Sequence, residues 1–144
     1  MTARTMRGML KVAIVDDSPE IQRSFGALLE RLPDLSLVGC AEDFAGAVQL
    51  IDEQRPDIVV LDVELRGTDR GLDVLRHVTR RHPQMRVVAL SNFGWHAMRE
   101  AFLRAGASAY FDKAIEFAQA RDWIALQLPQ RSASGASIVA DPDV

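Results

Sequence analysis

The chain has 144 residues, of which 48% are hydrophobic and 26% are charged, as expected for one soluble globular domain with a proper core. Its formal net charge of −3 excludes a whole-chain basic field that would attract nucleic acid or an anionic membrane. The single cysteine, Cys40, excludes an intramolecular disulfide and fits a reducing cytoplasm, and no apolar run approaches the ~20 residues that span a bilayer.

The first predicted strand and helix meet at a pair of acids. Leu10–Val15 is a mostly apolar run that ends abruptly in Asp16 and Asp17. Ser18 and Pro19 then predict the start of a helix, because serine is a favourable N-cap and proline is tolerated in the first helical turn.

The same alternation of strand and helix continues along the chain. Apolar runs predict further strands at 35–40, 58–61, 87–90 and 109–111. Apolar residues at helical spacing predict a helix after each of these strands. The predicted helices end where a proline or glycine follows, at Pro33, Pro56, Pro83 and Gly106.

Five β-α units in succession define the fold class. Strands that are apolar throughout, rather than alternating, indicate a parallel sheet covered on both faces. With right-handed crossovers, the units form an α/β doubly wound three-layer sandwich. We predict a domain over 10–128, preceded by an extension over 1–9 and followed by a mostly disordered tail over 129–144.

Polar residues follow four of the predicted strands. The first ends at Asp16 and Asp17, the third at Asp62, the fourth at Ser91, and the fifth just before Lys113. Ligands of open α/β sheets bind outside the carboxyl ends of the strands, and three carboxylates gathered there need a compensating cation. Hard oxygen ligands suit Mg²⁺. A carboxylate nucleophile beside a metal, an ammonium and a hydroxyl suits phosphoryl transfer.

Each of these residues also has an ordinary structural explanation. Asp16 and Asp17 can be loop acids that favour a helix N-terminus. Ser91 can be an N-cap, and Lys113 can be a solvated surface charge. Their joint occurrence on four strand ends favours a common site.

Four stretches of the chain resemble the receiver domain of two-component response regulators. They are VAIVDDSPE from residue 12, PDIVVLD from residue 56, VVALS from residue 87 and GASAYFDK from residue 106. The resemblance extends over 10–128. It implies a flavodoxin-like fold with strand order 2-1-3-4-5. It also implies phosphorylation from the phosphohistidine of a sensor histidine kinase or a phosphotransfer protein.

The resemblance assigns roles to the acids. Asp62 matches the phosphoacceptor. Asp17 would ligate Mg²⁺ directly and Asp16 mainly through water, and Asp62 and the backbone carbonyl of Glu64 complete the metal site.

The resemblance also implies a switch. Ser91 and Lys113 match the groups that hold the phosphoryl oxygens, and Tyr110 matches an aromatic residue that turns inward when Ser91 moves towards the phosphoryl group. Because phosphorylation adds about −1.5 to −2 charges, it favours one of two packings. The face that changes is made by helix 4, strand 5 and helix 5, and a homodimer through this face is an expected assembly.

Several residues depart from the usual family pattern, namely Arg66, Gly71, Asn92 and Ala114. Ala114 stands where many members have a proline in cis linkage. We also hypothesise that Glu64 and Phe93 tune the spontaneous loss of phosphate.

The remaining residues of chemical interest receive structural interpretations. Cys40 is expected to be a small buried hydrophobe. Trp95 is expected either near the rim of the active site or the signalling face, or else at the core or an interface. Three histidines lie on separate segments with no shared ligand spacing and are expected to be surface or partly buried residues rather than metal ligands, namely His77, His82 and His96.

Four functional readings follow from the sequence. The first is a cytoplasmic phosphoacceptor that signals through protein contacts, without a membrane segment or direct nucleic-acid binding. The second is the receiver fragment of a DNA-binding transcriptional regulator. The third is a small Mg²⁺-dependent aspartyl phosphatase with Asp62 as nucleophile and Glu64 as general acid. The fourth is an unphosphorylated pseudo-receiver that only binds proteins.

Overall fold

The computed structural model of the chain describes residues 9–67, 70–92 and 96–128. Phe93, Trp95, the predicted tail 129–144 and all of the predicted extension except residue 9 lie outside the described residues. Among the described residues, no helix has the length and apolar character needed to cross a membrane.

Strands and helices alternate through the described chain. The strands are β1 (Leu10–Val15), β2 (Leu35–Ala41), β3 (Ile58–Asp62), β4 (Arg86–Ser91) and β5 (Ala109–Asp112). The helices are α1 (Pro19–Glu30), α2 (Phe44–Gln54), α3 (Gly71–Arg81), α4 (His96–Arg104) and α5 (Phe117–Leu126). All neighbouring strands are parallel, and their order is β2-β1-β3-β4-β5. The predicted fold class and strand order are therefore confirmed.

The sheet separates two apolar layers, because successive side chains of a strand point to opposite faces. On one face, α1 and α5 contribute Phe25, Leu29, Ala120 and Ile124 to the core. On the other face, α2, α3 and α4 contribute Ala47, Ile51, Val74, Leu75, Val78 and Phe102. Residues 58–62 of the central strand β3 are buried throughout, which explains why its sequence is apolar without alternation.

Local capping sets the helix boundaries. The Ser18 side chain accepts a hydrogen bond from the Ile21 N–H at 3.2 Å, so the predicted N-cap of α1 is present. Asp43 caps α2 in the same way through the Gly46 N–H at 2.8 Å. At the other end of α2, Arg55 adopts a left-handed conformation with φ 48°, and the chain then turns into β3.

The expectation that Cys40 is buried is wrong, because its side chain is exposed. Cys40 lies on β2, which is an edge strand of the sheet. Residues 36–40 of this strand are only partly covered or exposed. Apolar character alone does not distinguish an edge strand from a central one.

His77 is buried rather than at the surface, and His82 is partly buried, as expected. His77 and His82 both contact the same carboxylate oxygen of Asp52. The sequence spacing does not show this contact because Asp52 lies on α2 whereas His77 lies on α3. His96 is exposed, as expected.

Candidate functional site

Three acids meet at the carboxyl end of the sheet. Asp16 directly follows β1, and Asp62 is the last residue of β3, the strand paired with β1. One carboxylate oxygen from each of Asp16, Asp17 and Asp62 lies within 4.8 Å of the other two. Asp16 and Asp62 are buried and Asp17 is partly exposed. The parallel sheet thus gathers acids that are 46 residues apart in sequence.

Lys113 reaches these acids from the end of β5. Its Nζ lies 2.7 Å from Asp16 Oδ2 and 3.3 Å from Asp62 Oδ2, and its side chain is only 6% exposed. The Lys113 backbone N–H donates to the Ser91 carbonyl at 2.7 Å. Because this bond fixes the backbone beside β4, the long side chain extends past β4 to the acids on β3 and β1.

Burial changes the acidity of Asp62. Loss of hydration is the largest effect and raises the pKa of the carboxyl, and the negative charge of Asp16 raises it as well, while Lys113 and the Glu64 backbone N–H lower it. The net result is a pKa of about 6. The Glu64 N–H lies 3.3 Å from Asp62 Oδ1. Without a further cation, Asp62 therefore retains a proton in part near neutral pH.

The acids fit a divalent cation. One ammonium against three carboxylates leaves an excess of negative charge. Asp16 Oδ1 accepts from the Ser18 N–H at 2.9 Å, and Asp16 Oδ2 has the Lys113 ammonium as its partner at 2.7 Å. Carboxylate oxygens are the ligands that Mg²⁺ prefers, and the partly exposed Asp17 leaves water access for the remaining positions of the ion.

Ser91 and Tyr110 form a buried polar pair beside the acids. Ser91 ends β4, the strand next to Asp62, and both side chains are buried. The Tyr110 hydroxyl shares a hydrogen bond with the Ser91 side chain. Burial raises the pKa of the Tyr110 hydroxyl, and the Ser91 bond partly offsets this effect. The tyrosine ring therefore points inward.

Arg99 of α4 secures the same tyrosine, a contact that sequence reasoning missed. Its guanidinium donates to the Tyr110 carbonyl at 3.0 Å and lies 6.0 Å from the ring centroid. The ring of Phe102 packs edge-on against Tyr110, with centroids 5.9 Å apart. An exposed arginine on the mostly exposed helix α4 carries no sequence signal for such a contact.

Gly71 packs directly against the end of β3, and sequence reasoning noted only its unusual position. Its N–H donates to the Val63 carbonyl at 2.8 Å. A methyl group at this position would lie 2.2 Å from the Asp62 carbonyl oxygen. The loop after Asp62 can return this close only because Gly71 has no side chain.

Glu64 lies beside Asp62, and its side chain is exposed. It forms an isolated antiparallel bridge with Arg70. The role of its backbone carbonyl in metal binding stays a prediction, as does any effect of Phe93, which lies outside the described residues.

Sequence comparison with known proteins points to one protein family. The response regulator receiver domain family matches residues 12–125. A protein-glutamate methylesterase/protein-glutamine glutaminase of Shewanella oneidensis is 41% identical over 75 residues, which are 52% of this chain and 21% of the relative. The DNA-binding transcriptional activator DevR/DosR of Mycobacterium tuberculosis is 38% identical over 109 residues, which are 75% of this chain and 49% of the activator.

Solved structures share the fold. The crystal structure of a LuxR-family two-component response regulator from Aurantimonas sp. has a TM-score of 0.74 and 30% sequence identity, covering 83% of this chain and 86% of that one. The chain spans less than half the length of the two curated relatives described above.

Proposed function

Because the chain belongs to the response regulator receiver domain family, we propose that Asp62 accepts a phosphoryl group from a phosphohistidine. An oxygen of Asp62 attacks phosphorus, and the P–N bond of the donor breaks. The bonding electrons stay on the histidine nitrogen, and a proton on the other ring nitrogen leaves the imidazole neutral. The donor is a sensor histidine kinase or a phosphotransfer protein.

The observation that carries this proposal is the contact of Lys113 with two buried acids. Lys113 Nζ lies 3.3 Å from Asp62 and 2.7 Å from Asp16. A fixed ammonium beside the nucleophile can hold an incoming phosphoryl oxygen, and phosphoryl transfer depends mainly on such positioning and charge neutralisation. Ser91, at the end of the adjacent strand, is proposed to hold a second phosphoryl oxygen.

The metal of this site is proposed to be Mg²⁺. Asp17 and Asp62 would ligate it directly, Asp16 mainly through water, and the Glu64 backbone carbonyl would complete the protein ligands. When bound, the ion supplies positive charge to the acids and to the phosphoryl oxygens. The chain's own acids orient the nucleophile, and Lys113 Nζ lies within reach of both Asp16 and Asp62.

Signalling is proposed to pass through Ser91 and Tyr110. A phosphoryl group on Asp62 competes with Tyr110 for the Ser91 hydroxyl, because both offer hydrogen-bond acceptors. The resulting shift is read on the face formed by α4, β5 and α5, where a partner protein or a second copy of the chain would bind. Cytoplasmic location and action without turnover of an outside substrate are part of this proposal.

A second candidate is favoured by the identity of 38% with a DNA-binding transcriptional activator. In it, the same phosphorylation controls a DNA-binding region, and this chain is the receiver part of the regulator. Both candidates share the chemistry of Asp62 and differ only in what reads the switch.

Incubation with acetyl phosphate and Mg²⁺, followed by intact mass measurement, tests the proposal. We expect one phosphoryl adduct, lost on chelation of the metal and absent in Asp62→Asn. The matched control is Asp122→Asn, an exposed acid paired with Arg121, and it should label normally. An adduct that persists in Asp62→Asn would reject the assignment. Steady release of product from a phosphomonoester would instead support the phosphatase reading.

A further inference from the structure

A second cluster of possible metal ligands lies near the amino ends of the parallel strands. The acids of the phosphorylation site lie at the carboxyl ends, which form the other edge of the sheet. Asp52 is in the last turn of α2, His77 is on α3, and His82 follows the end of α3. These segments lead into the first residues of β3 and β4, whereas the phosphorylation site lies at the other ends of those strands. Strands of five or six residues place the two clusters roughly 15 Å apart.

The three side chains converge on one point. Asp52 Oδ1 lies 2.9 Å from His77 Nε2 and 2.7 Å from His82 Nε2. Both histidine side chains are largely buried, whereas that of Asp52 is 36% exposed. The hydrogen bonds from His82 and His77 hold the pKa of Asp52 below its ordinary value. The carboxylate is therefore anionic at neutral pH and has one side open to water.

Backbone geometry favours a positive charge at this position. Helix α2 ends at Gln54 and α3 ends at Arg81, so both helices direct their C-terminal ends towards the cluster. The C-terminal end of a helix carries a partial negative charge. His82 is the C-cap of α3 and precedes Pro83. Its ring points towards α2, where it contacts Asp52.

We propose that Asp52, His77 and His82 bind a transition-metal ion of zinc's class. Two imidazole nitrogens and one carboxylate oxygen are a common ligand set for zinc, nickel and cobalt. Mg²⁺ prefers oxygen ligands and would go to the acids at the other edge. The exposed side of Asp52 leaves room for a water as the fourth ligand. This inference does not depend on the proposed phosphorylation.

The observed spacing needs only a small adjustment to hold such an ion. Ligands bonded at 2.0–2.2 Å around tetrahedral zinc lie about 3.4 Å apart, whereas the present contacts are 2.7 and 2.9 Å. An opening of about half an ångström is available to Asp52, because its carboxylate is the exposed member. The competing explanation is a metal-free clamp in which both imidazoles donate to one oxygen and join α2 to α3.

Zinc titration of the full, untagged chain in the presence of a competing chelator tests the proposal. Excess Mg²⁺ is added so that zinc does not bind to the three acids at the carboxyl ends of the strands. We expect one zinc ion per chain, with affinity at least tenfold lower in Asp52→Asn, His77→Gln and His82→Gln. Two control variants should keep the wild-type affinity, namely His96→Gln and Cys40→Ser. Equal affinity in all variants, or no zinc bound by the wild type, would overturn the proposal and leave the clamp.

An NMR measurement needs no substitution and so does not depend on the folding of a variant. The chain has three histidines, so the imidazole ¹⁵N signals are few enough to assign. On adding zinc, we expect the Nε2 signals of His77 and His82 to move together, while that of His96 stays in place. Unmoved signals for the two clustered residues would contradict metal binding at this site.

Discussion

At the scale of single residues, the chemistry of the site depends on how Asp62 is held. It is buried with Asp16 at the end of two adjacent strands, and one lysine faces both. Ionising a buried carboxylate costs free energy unless an opposite charge compensates it. Lys113 compensates only in part, because burial dominates and raises the pKa of Asp62 to about 6. The remaining free-energy cost of ionising Asp62 is therefore a reason for the site to bind a cation.

A pH-dependent stability follows for the metal-free protein. The pKa of Asp62 is raised in the folded state to about 6 from 3.8, so the folded state holds a proton that the unfolded state has lost. Asp62 therefore lowers the free energy of unfolding progressively as pH rises from about 4 to about 6. We expect Asp62→Asn to be more stable than the wild type by about 1–3 kcal/mol at pH 7.5 with chelator present.

Urea unfolding of both proteins between pH 4 and pH 8 measures this difference. The gap should be small at pH 4 and reach its full size above pH 6. Asp122→Asn, an exposed acid at 61%, serves as the control and should differ little from the wild type at any pH. A gap that does not grow with pH would mean that burial of Asp62 is not a cost to the fold.

At the scale of the elements, the site depends on a close return of the chain after β3. Helix α3 begins at Gly71, which packs against the Asp62 and Val63 carbonyls at the end of β3. The site acid and the first turn of α3 therefore cannot move independently. Tyr110 on β5 and Arg99 on α4 form a similar link between these two elements.

Gly71→Ala tests the link between the start of α3 and Asp62. The added methyl would lie 2.2 Å from the Asp62 carbonyl and 3.0 Å from that of Val63, so backbone must shift. We expect a loss of about 1–3 kcal/mol in the free energy of unfolding and slower labelling by acetyl phosphate. Both effects are measured on the same preparation, by urea unfolding and by intact mass.

Gly26→Ala is the matched control. Gly26 lies inside α1, and a methyl there would meet two flexible side chains, Leu37 at 3.3 Å and Ile14 at 3.9 Å. Alanine also favours the helix by about 1 kcal/mol, so this variant should label normally and lose little stability. If Gly71→Ala behaves in the same way as Gly26→Ala, the close return after β3 has no functional importance.

At the scale of the whole molecule, the two ends of the parallel strands form two edges of the sheet with different chemistry. The carboxyl ends of the strands gather oxygen ligands, and the opposite edge gathers Asp52, His77 and His82. Five strands connect the two edges through continuous apolar layers. An ion bound at either edge stabilises the same cooperative unit, because it binds the folded chain and not the unfolded one.

Mg²⁺ should therefore raise the stability of the entire domain. At a concentration one hundred times its dissociation constant, we expect a gain of about 2.7 kcal/mol in the free energy of unfolding, seen as a higher thermal midpoint. Asp17→Asn should lose most of this gain, whereas His77→Gln should keep it, since His77 lies at the other edge. An equal gain in Asp17→Asn would place Mg²⁺ elsewhere.

Much of the architecture can be predicted from the sequence because it follows from local chemistry. Apolar runs of four to six residues between helix-period segments predict a covered parallel sheet, and such a sheet brings its strand ends to one edge. For this reason Asp16, Asp17, Asp62, Ser91 and Lys113 can be predicted to meet without knowledge of any distance. The family resemblance adds the roles of these residues, and the family match supports it.

Other properties depend on packing between residues far apart in sequence. The exposure of Cys40 is decided by the position of β2 at the sheet edge. The raised pKa of Asp62 depends on how deeply the folded chain buries it. The contact of Asp52 with two histidines requires α2 to lie beside α3. Periodicity records which residues are apolar, but only the tertiary structure decides which polar groups face one another and how much water reaches them.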